Sequence, residues 1–328
     1  MLRHLPAALA LALLAPAFAS AQGEPLEIAR SEVEVIGAAE LRGLDEAAAP
    51  TPIEVTTWIS RTQAIVPVPI RRGALFVGAS YTFVRAVIEP QGFPTERASF
   101  HEVGITLGGL AQLNDRWSLA LAVAPSYASD FERRSGDAIN FAAFGSASVE
   151  VRPGELEVGF GLAASYRLGR LAPLPIFEVR WVPRPEATFL VSLPQGLRFS
   201  WIVDQRWLFA TGIQLEGSRY FIGEPDPTLP TTSSFENAVV SAGVSFGARL
   251  SGPLWLEVTG GSTLYRNFEL LARSGDSTGA ADAENALFAE LALIVRVGEE
   301  DESAEESDPA AEALSARERR APAPQRRR

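Results

Sequence analysis

Residues 117–127 read Trp-Ser-Leu-Ala-Leu-Ala-Val-Ala-Pro-Ser-Tyr, with Ser or Ala at every even position and bulky apolar side chains at most odd ones. A period of two is that of a β-strand with two unlike faces. Trp117, Leu119, Leu121, Val123 and Tyr127 form one face, which begins and ends in amphipathic aromatics. Tilted by ~45° at ~3.3 Å per residue, such a strand rises about 23 Å, close to the apolar band of about 25 Å of an outer-membrane barrel. A soluble sandwich strand turns its large residues inward and its polar residues to water, so small uncharged residues opposite a bulky face suit a barrel interior better than bulk solvent.

The alternation recurs along the chain. Glu32 to Ile36 alternates within an acidic, Ala-rich stretch, residues 22–52, that is either a first strand or a periplasmic arm, the strand being preferred. Ile53, Val55, Thr57 and Ile59 share a face, and Pro67 to Gly73 is expected to break the pairing. Leu75, Val77, Ala79, Tyr81 and Phe83 then oppose Gly78, Ser80 and Thr82, and Val103, Ile105 and Leu107 oppose Glu102, Gly104, Thr106 and Gly108. Ile139, Phe141 and Ala143 oppose Asn140 and Ser146; Val158, Phe160 and Leu162 oppose Gly159, Gly161 and Ala163. The closing strand places Leu287, Ala289, Leu291, Leu293, Val295 and Val297 opposite Glu290 and Arg296.

Long polar segments (89–99, 130–137, 223–233, 272–284) alternate with brief ones (114–116, 152–155, 183–186, 204–206, 251–253), so the long ones are assigned to the outside and the short ones to the periplasm. Trp117, Trp207 and Trp255 follow short turns, while Tyr127, Tyr166, Tyr220 and Tyr265 lie toward the outer ends; together they are the expected aromatic girdle. The fold class is therefore all-β, a transmembrane antiparallel β-barrel of about 12–14 strands. The uncertainty in number comes from the short pieces 187–193 and 197–203, below the ~9 residues that a tilted span needs.

Composition refines this organisation. Residues 1–21 have a basic start, an apolar run and Ala19-Ser20-Ala21, the pattern of a cleavable signal peptide. Residues 53–297 are the barrel, and residues 298–328, acidic and then Arg-rich, have a composition expected to stay disordered. No segment after residue 21 approaches the ~20 apolar residues of a membrane helix. The chain has no Cys, which excludes a disulfide, a Cys-metal site and an N-terminal lipid anchor. All 29 basic residues are Arg, and the net charge of -11 argues against a nucleic-acid partner.

Candidate chemistry is sparse. His101 is the only histidine after residue 21, which rules out a multi-His metal site, and no phosphate, calcium or nucleotide motif is present, so no cofactor is expected. Ser99 and His101 have the spacing of a Ser-His pair on a strand rim, with Glu102 and Ser126 as possible helpers, but a lone His at a strand end is more often an interfacial residue, and no enzyme is expected. Glu102, Glu157, Glu178, Arg180, Arg198, Glu216, Arg249, Glu290 and Arg296, with Glu54, fall on inner faces, where they either pair across the wall or line a solute path.

The chain resembles the uncharacterised outer-membrane β-barrel proteins of Gram-negative bacteria, a domain-of-unknown-function group. The resemblance rests on residues 53–70 and 117–130 and on the Pro-rich centre from Leu174-Pro175 to Leu193-Pro194, and it covers residues 50–297. It implies a barrel in the bacterial outer membrane, in contact with outer-membrane lipid and inserted by the outer-membrane assembly machinery, with no assigned substrate. Barrels of that kind usually end in an aromatic residue, whereas this sequence ends in Arg328, so an assembly signal around the last strand is expected. The expected function is a passive pore or porin-like transporter for small solutes, because about 12–14 strands enclose a lumen that small inward residues leave to water. The alternatives are a structural or adhesive barrel without an open channel and, more remotely, a lipid-directed hydrolase using Ser99 and His101.

Overall fold

The computed structural model describes residues 26–42, 53–90, 96–167, 170–223, 232–274 and 276–297. The signal peptide and the charged tail expected from the sequence lie outside the described residues. The strands are β1 Leu26–Arg42, β2 Ile53–Ile70, β3 Gly73–Pro90, β4 Glu96–Gln112, β5 Trp117–Ser129, β6 Ile139–Arg152, β7 Leu156–Arg167, β8 Arg170–Arg184, β9 Ala187–Leu193, β10 Gly196–Val203, β11 Trp207–Phe221, β12 Thr232–Ser251, β13 Leu254–Ala272, β14 Ser277–Ala283 and β15 Leu287–Val297. Each pairs antiparallel with its neighbours, and β1 closes the ring against β15 from Leu26↔Val297 to Ile36↔Phe288.

β14 and β15 occupy one position in the wall. Both lie between β13 and β1, with β14 in the outer half and β15 in the inner half, which makes fourteen wall positions out of fifteen strands. Where they meet, Thr263 and Glu40 bind the strand: Ala286 N–H donates to Thr263 Oγ1 (2.8 Å), and Glu284 N–H donates to the Glu40 carbonyl (2.9 Å). A closed ring leaves no sheet edge in lipid, which is the condition for β-structure to span a bilayer.

Face assignment follows the pleat. Leu121 is 56% exposed on the outside, while Ala122 is 4% exposed on the inside. The outward row Val103, Ile105, Leu107, Leu121, Val123, Ile139, Phe141, Phe160 and Leu162 is exposed as a continuous apolar band. Trp117, Trp181, Trp201 and Trp207 mark its periplasmic margin, with Trp207 stacked on Phe246 and Trp181 on Phe189.

Residues 26–42 form a wall strand, the preferred of the two readings of this stretch. Several other expectations are corrected. Pairing is not broken at Pro67, because β2 runs to Ile70 with Val68↔Leu75 and Pro69↔Ala74. Among the described residues its pairing to β1 ends at Ala64, before either proline is reached. The segment 272–284 is not a loop through its length, since Ser277–Ala283 pairs with β13. Val55, Thr57 and Ile59 face inward, which puts Glu54 outside.

The interior is packed at three levels. Phe76, Ala120, Ala122, Phe144, Ala163 and Ile176 cluster in the β3–β8 half. Hydrogen-bonded rows alternate large and small there: Phe76 lies over Gly108, and Phe144 lies between Ala122 and Ala163. Leu208, Trp255, Ala292 and Ile294 cluster toward the periplasm, and Ile36, Ile59, Val84, Phe100, Ala128 and Tyr220 cluster toward the outside.

Candidate functional site: the barrel interior

At mid-depth β1, β2, β11 and β15 turn their polar positions inward. Arg30 bonds Glu32 and Glu290 (2.6 Å to Glu290) and lies 3.8 Å from Glu27. Arg61 lies 2.8 Å from Glu32, 3.2 Å from Glu34 and 2.5 Å from Glu216. Because β2 and β11 are not neighbours in the wall, the Arg61–Glu216 pair is a chord across the interior. Nearer the periplasm, Glu257 forms ion pairs with Arg198 (3.5 Å) and Arg296 (3.6 Å), and the Arg296 guanidinium lies 5.1 Å from the Trp255 ring. Two guanidiniums held among several carboxylates satisfy one another's hydrogen-bonding capacity in a place poor in water, where an unpaired charge costs several kcal/mol.

Above this layer an aromatic ladder crosses the barrel. Tyr220 of β11 stacks on Phe100 of β4 (5.1 Å), Phe100 on Phe235 of β12 (5.1 Å, 4° between planes) and Phe235 on Phe268 of β13 (5.6 Å). Arg266, 1% exposed, caps the ladder 4.7 Å from the Phe268 ring and donates to Thr57 Oγ1.

The outer rim is clasped. Phe221, the last residue of β11, bridges in parallel to Ser129, the last residue of β5, across the mouth. Asp130 N–H donates to the Phe221 carbonyl (3.2 Å), and Gly223 N–H donates to Asp130 Oδ2 (2.7 Å). The loop that follows contains a 3-10 turn, Gly136–Ala138, and reaches the turn after β13 through Asp137 and Arg273 (3.1 Å).

The expected inner residues are placed as follows. Glu216, Glu290, Arg198 and Arg296 belong to the ion-pair layers just described. Glu102 faces inward and accepts from Ser126 Oγ (2.7 Å) beside a cavity of about 30 Å³ lined by Ser80, Thr106 and Asn140. Glu157, Glu178 and Arg180 are neighbours in register, with Glu157 opposite Arg180 and Glu178 opposite Gly159. Arg249 sits at a periplasmic turn, where its Nε donates to the Gly252 carbonyl (2.6 Å). The chord, the ladder and the clasp cross the interior at successive depths, and in the β3–β8 half the small inward residues Ala120, Ala122 and Ala163, from which a water-filled lumen was expected, pack against Phe76 and Phe144.

The girdle is corrected at two residues. Trp255 (1% exposed) and Tyr220 point inward, sharing their faces with Glu257 and Glu216 respectively. Trp117, Trp207, Tyr127 and Tyr265 keep the outward face, and the Tyr166 side chain lies outside the described residues. Trp181 and Trp201 join the girdle and were missed, as were Glu27, Arg30, Glu32, Glu34, Arg61 and Glu257 of the charge layers. The signal for the charges was present, since Arg30, Glu32 and Glu34 alternate with Ser31, Val33 and Val35.

The Ser-His constellation is not assembled. His101 is on the outer face, where its Nδ1 is 2.8 Å from Tyr81 Oη and its ring lies among Phe83 (5.0 Å) and Phe131 (5.2 Å). Glu102 and Ser126 bond to each other on the inner face, on the other side of the wall.

Among solved structures the chain is similar to a TodX deletion mutant, a monoaromatic hydrocarbon channel (9% identity, 87% of this chain and 94% of that one, TM-score 0.40). It is also similar to an outer membrane channel from Pseudomonas putida F1 (9%, 84% and 98%, TM-score 0.41) and to the NanC porin (6%, 81% and 100%, TM-score 0.32). No curated protein sequence matches. The chain belongs to the family described as Domain of unknown function (DUF6268), whose profile matches residues 75–298.

Proposed function

We propose that this chain is an outer-membrane barrel that passes small polar solutes and rests closed, with the upper part of β11 as the element that moves. The observation that carries this reading is the inward row of Arg30, Arg61, Glu32, Glu34, Glu216 and Glu290 at mid-depth. Ionisable side chains inside a membrane protein are costly and mark solute or ion paths. The β3–β8 half is filled with Phe, Ile and Ala, so apolar packing is available to this fold where closure is all that is needed. β11 supplies Glu216 to the chord, Tyr220 to the ladder and Phe221 to the clasp, so one strand's displacement breaks the chord and the clasp and removes the first rung of the ladder.

A second reading, a structural barrel without a channel, is favoured by that same closure. Conductance of the purified chain in planar bilayers separates the two. The wild type is expected to show rare openings, and Glu216→Gln, which removes the charge on one side of the chord, at least a several-fold higher open probability. Silence in both proteins leaves the structural barrel.

A further inference from the structure

Strands β4 and β5 part at one place. Their pairing runs from His101↔Ser129 to Gly104↔Ser126 and resumes at Leu107↔Val123. Leu113 N–H donates to the Trp117 carbonyl (2.8 Å), so in the pleat the odd-numbered residues of these two strands are the ones that exchange bonds. In this register Ile105 stands opposite Pro125, which has no N–H. The Ile105 carbonyl is thereby left without its ladder donor, inside a membrane where bulk water does not replace it. On the other side Pro125 stays paired with Phe141, because there the even-numbered residues of β5 carry the bonds, as Glu150 N–H to the Arg116 carbonyl (2.8 Å) shows.

The cavity of about 30 Å³ lies at this gap, with Ile105 and Pro125 in its lining. Ser80 of β3, Glu102 and Thr106 of β4, Ser126 of β5 and Asn140 of β6 line the rest of it and supply side-chain oxygens from four strands. Gly104 helps to keep the space open, since a Cβ there would lie 2.7 Å from Ser80 Oγ. Glu102 is 9% exposed, and Ser126 Oγ donates to its Oε1 (2.7 Å). Among the described residues no guanidinium pairs with it, unlike the carboxylates of the two charge layers.

We propose that this cavity binds a monovalent metal cation, of which sodium is the type, and that the ion joins β4 to β5 where Pro125 interrupts their ladder. The donors are all oxygens, the set that hard cations take. A single carboxylate balances a single charge. Calcium takes about 6–8 oxygens and magnesium keeps several waters, for which a cavity of about 30 Å³ has no room. A water molecule fits the volume and can donate to the Ile105 carbonyl, but it leaves the buried charge of Glu102 uncompensated, which is costly. A cation meets both needs at once.

The test is urea unfolding of the full chain refolded into dimyristoylphosphatidylcholine vesicles, with sodium replacing N-methylglucamine at constant ionic strength. In the wild type the folded-to-unfolded ratio at a fixed urea concentration is expected to rise about 10-fold when sodium reaches about ten times its dissociation constant. Glu102→Gln keeps the shape of the side chain, removes its charge and should abolish the rise. Pro125→Ala returns an N–H to face the Ile105 carbonyl. It should weaken the rise and, in N-methylglucamine alone, leave the barrel at least as stable as the wild type, which keeps the proposal testable if the first variant folds poorly. Glu157→Gln, at an inward carboxylate near the periplasmic end of β7, should respond to sodium as the wild type does. A wild type indifferent to sodium, which is the outcome for a cavity that holds only water, would overturn the proposal. So would an undiminished response in Glu102→Gln or in Pro125→Ala, or an equal loss of response in Glu157→Gln.

Discussion

At the scale of single residues, what decides each position is which side of the wall it faces. Leu121 faces lipid near mid-membrane, so Leu121→Arg is expected to lower unfolding free energy by ~2–4 kcal/mol. Ala122, one residue on, packs with Phe144 and Phe76, and Ala122→Leu should cost about 1–3 kcal/mol by overpacking. Denaturant unfolding of both variants in vesicles checks this; an unchanged midpoint for Ala122→Leu would mean the interior is wet there. Glycines separate in the same way. A Cβ on Gly108 would lie 2.2 Å from the Phe76 ring, so Gly108→Ala should destabilise, while Gly260→Ala should be close to neutral in the same assay. The pleat made Leu121 and Ala122 legible in the sequence. Trp255 and Tyr220 were misread because an aromatic near a strand end was assigned by identity, although Glu257 and Glu216 on the same faces already pointed them inward.

At the scale of elements, ion pairing is shared unequally among strands. Arg61 of β2 serves Glu32, Glu34 and Glu216 at once, so Arg61→Met strands carboxylates in a water-poor interior and should cost about 3–5 kcal/mol. Glu216→Gln keeps a hydrogen-bond acceptor for Arg61, which retains its β1 partners, and should cost less than half as much. Unfolding midpoints of the two variants give the comparison, and equal losses would contradict the assignment of Arg61 as the hub. Strand β5 could be read directly because its bulky residues face lipid over the whole span, and β4 and β15 because most of theirs do, with Phe100 and Ile294 turned inward. β1, β2 and β14 were harder for a physical reason. The inward face of upper β2 carries Val55 and Ile59 toward an apolar cluster while its outward face carries Glu54 and Thr56, so the usual relation between apolarity and lipid is inverted. β14 is Ser-Thr-Gly-Ala-Ala-Asp-Ala, whose composition is that of a loop, and only its place between β13 and β1 makes it a strand.

At the scale of the whole molecule, closure depends on distant parts of the chain meeting across the ring, and no periodicity encodes such meetings. The sequence showed that Glu216 faces inward but not that Arg61 reaches it, and it placed Asp130 in an outer loop without showing that the loop bonds to β11. These two contacts share one strand. Two independent closures in series would have open probabilities that multiply, so their variants would add in free energy. If upper β11 moves as a unit, releasing it at Asp130 also loosens Glu216, and the second substitution has less left to do. A double-mutant cycle of Asp130→Ala and Glu216→Gln, read as open probability in planar bilayers, is therefore expected to show a coupling of about 0.5–3 kcal/mol, the range for residues joined through shared structure. Wall charge gives a control within the same recordings. Among the inward charges of the two ion-pair layers, the carboxylates Glu27, Glu32, Glu34, Glu216, Glu257 and Glu290 outnumber the guanidiniums Arg30, Arg61, Arg198 and Arg296. Open events should then favour cations weakly, and the preference should fade as added salt shortens the screening length from about 10 Å at 0.1 M to about 3 Å at 1 M. Coupling below ~0.5 kcal/mol would show that the clasp and the chord close the barrel independently, and clear anion selectivity would place the conducting path away from the charged row.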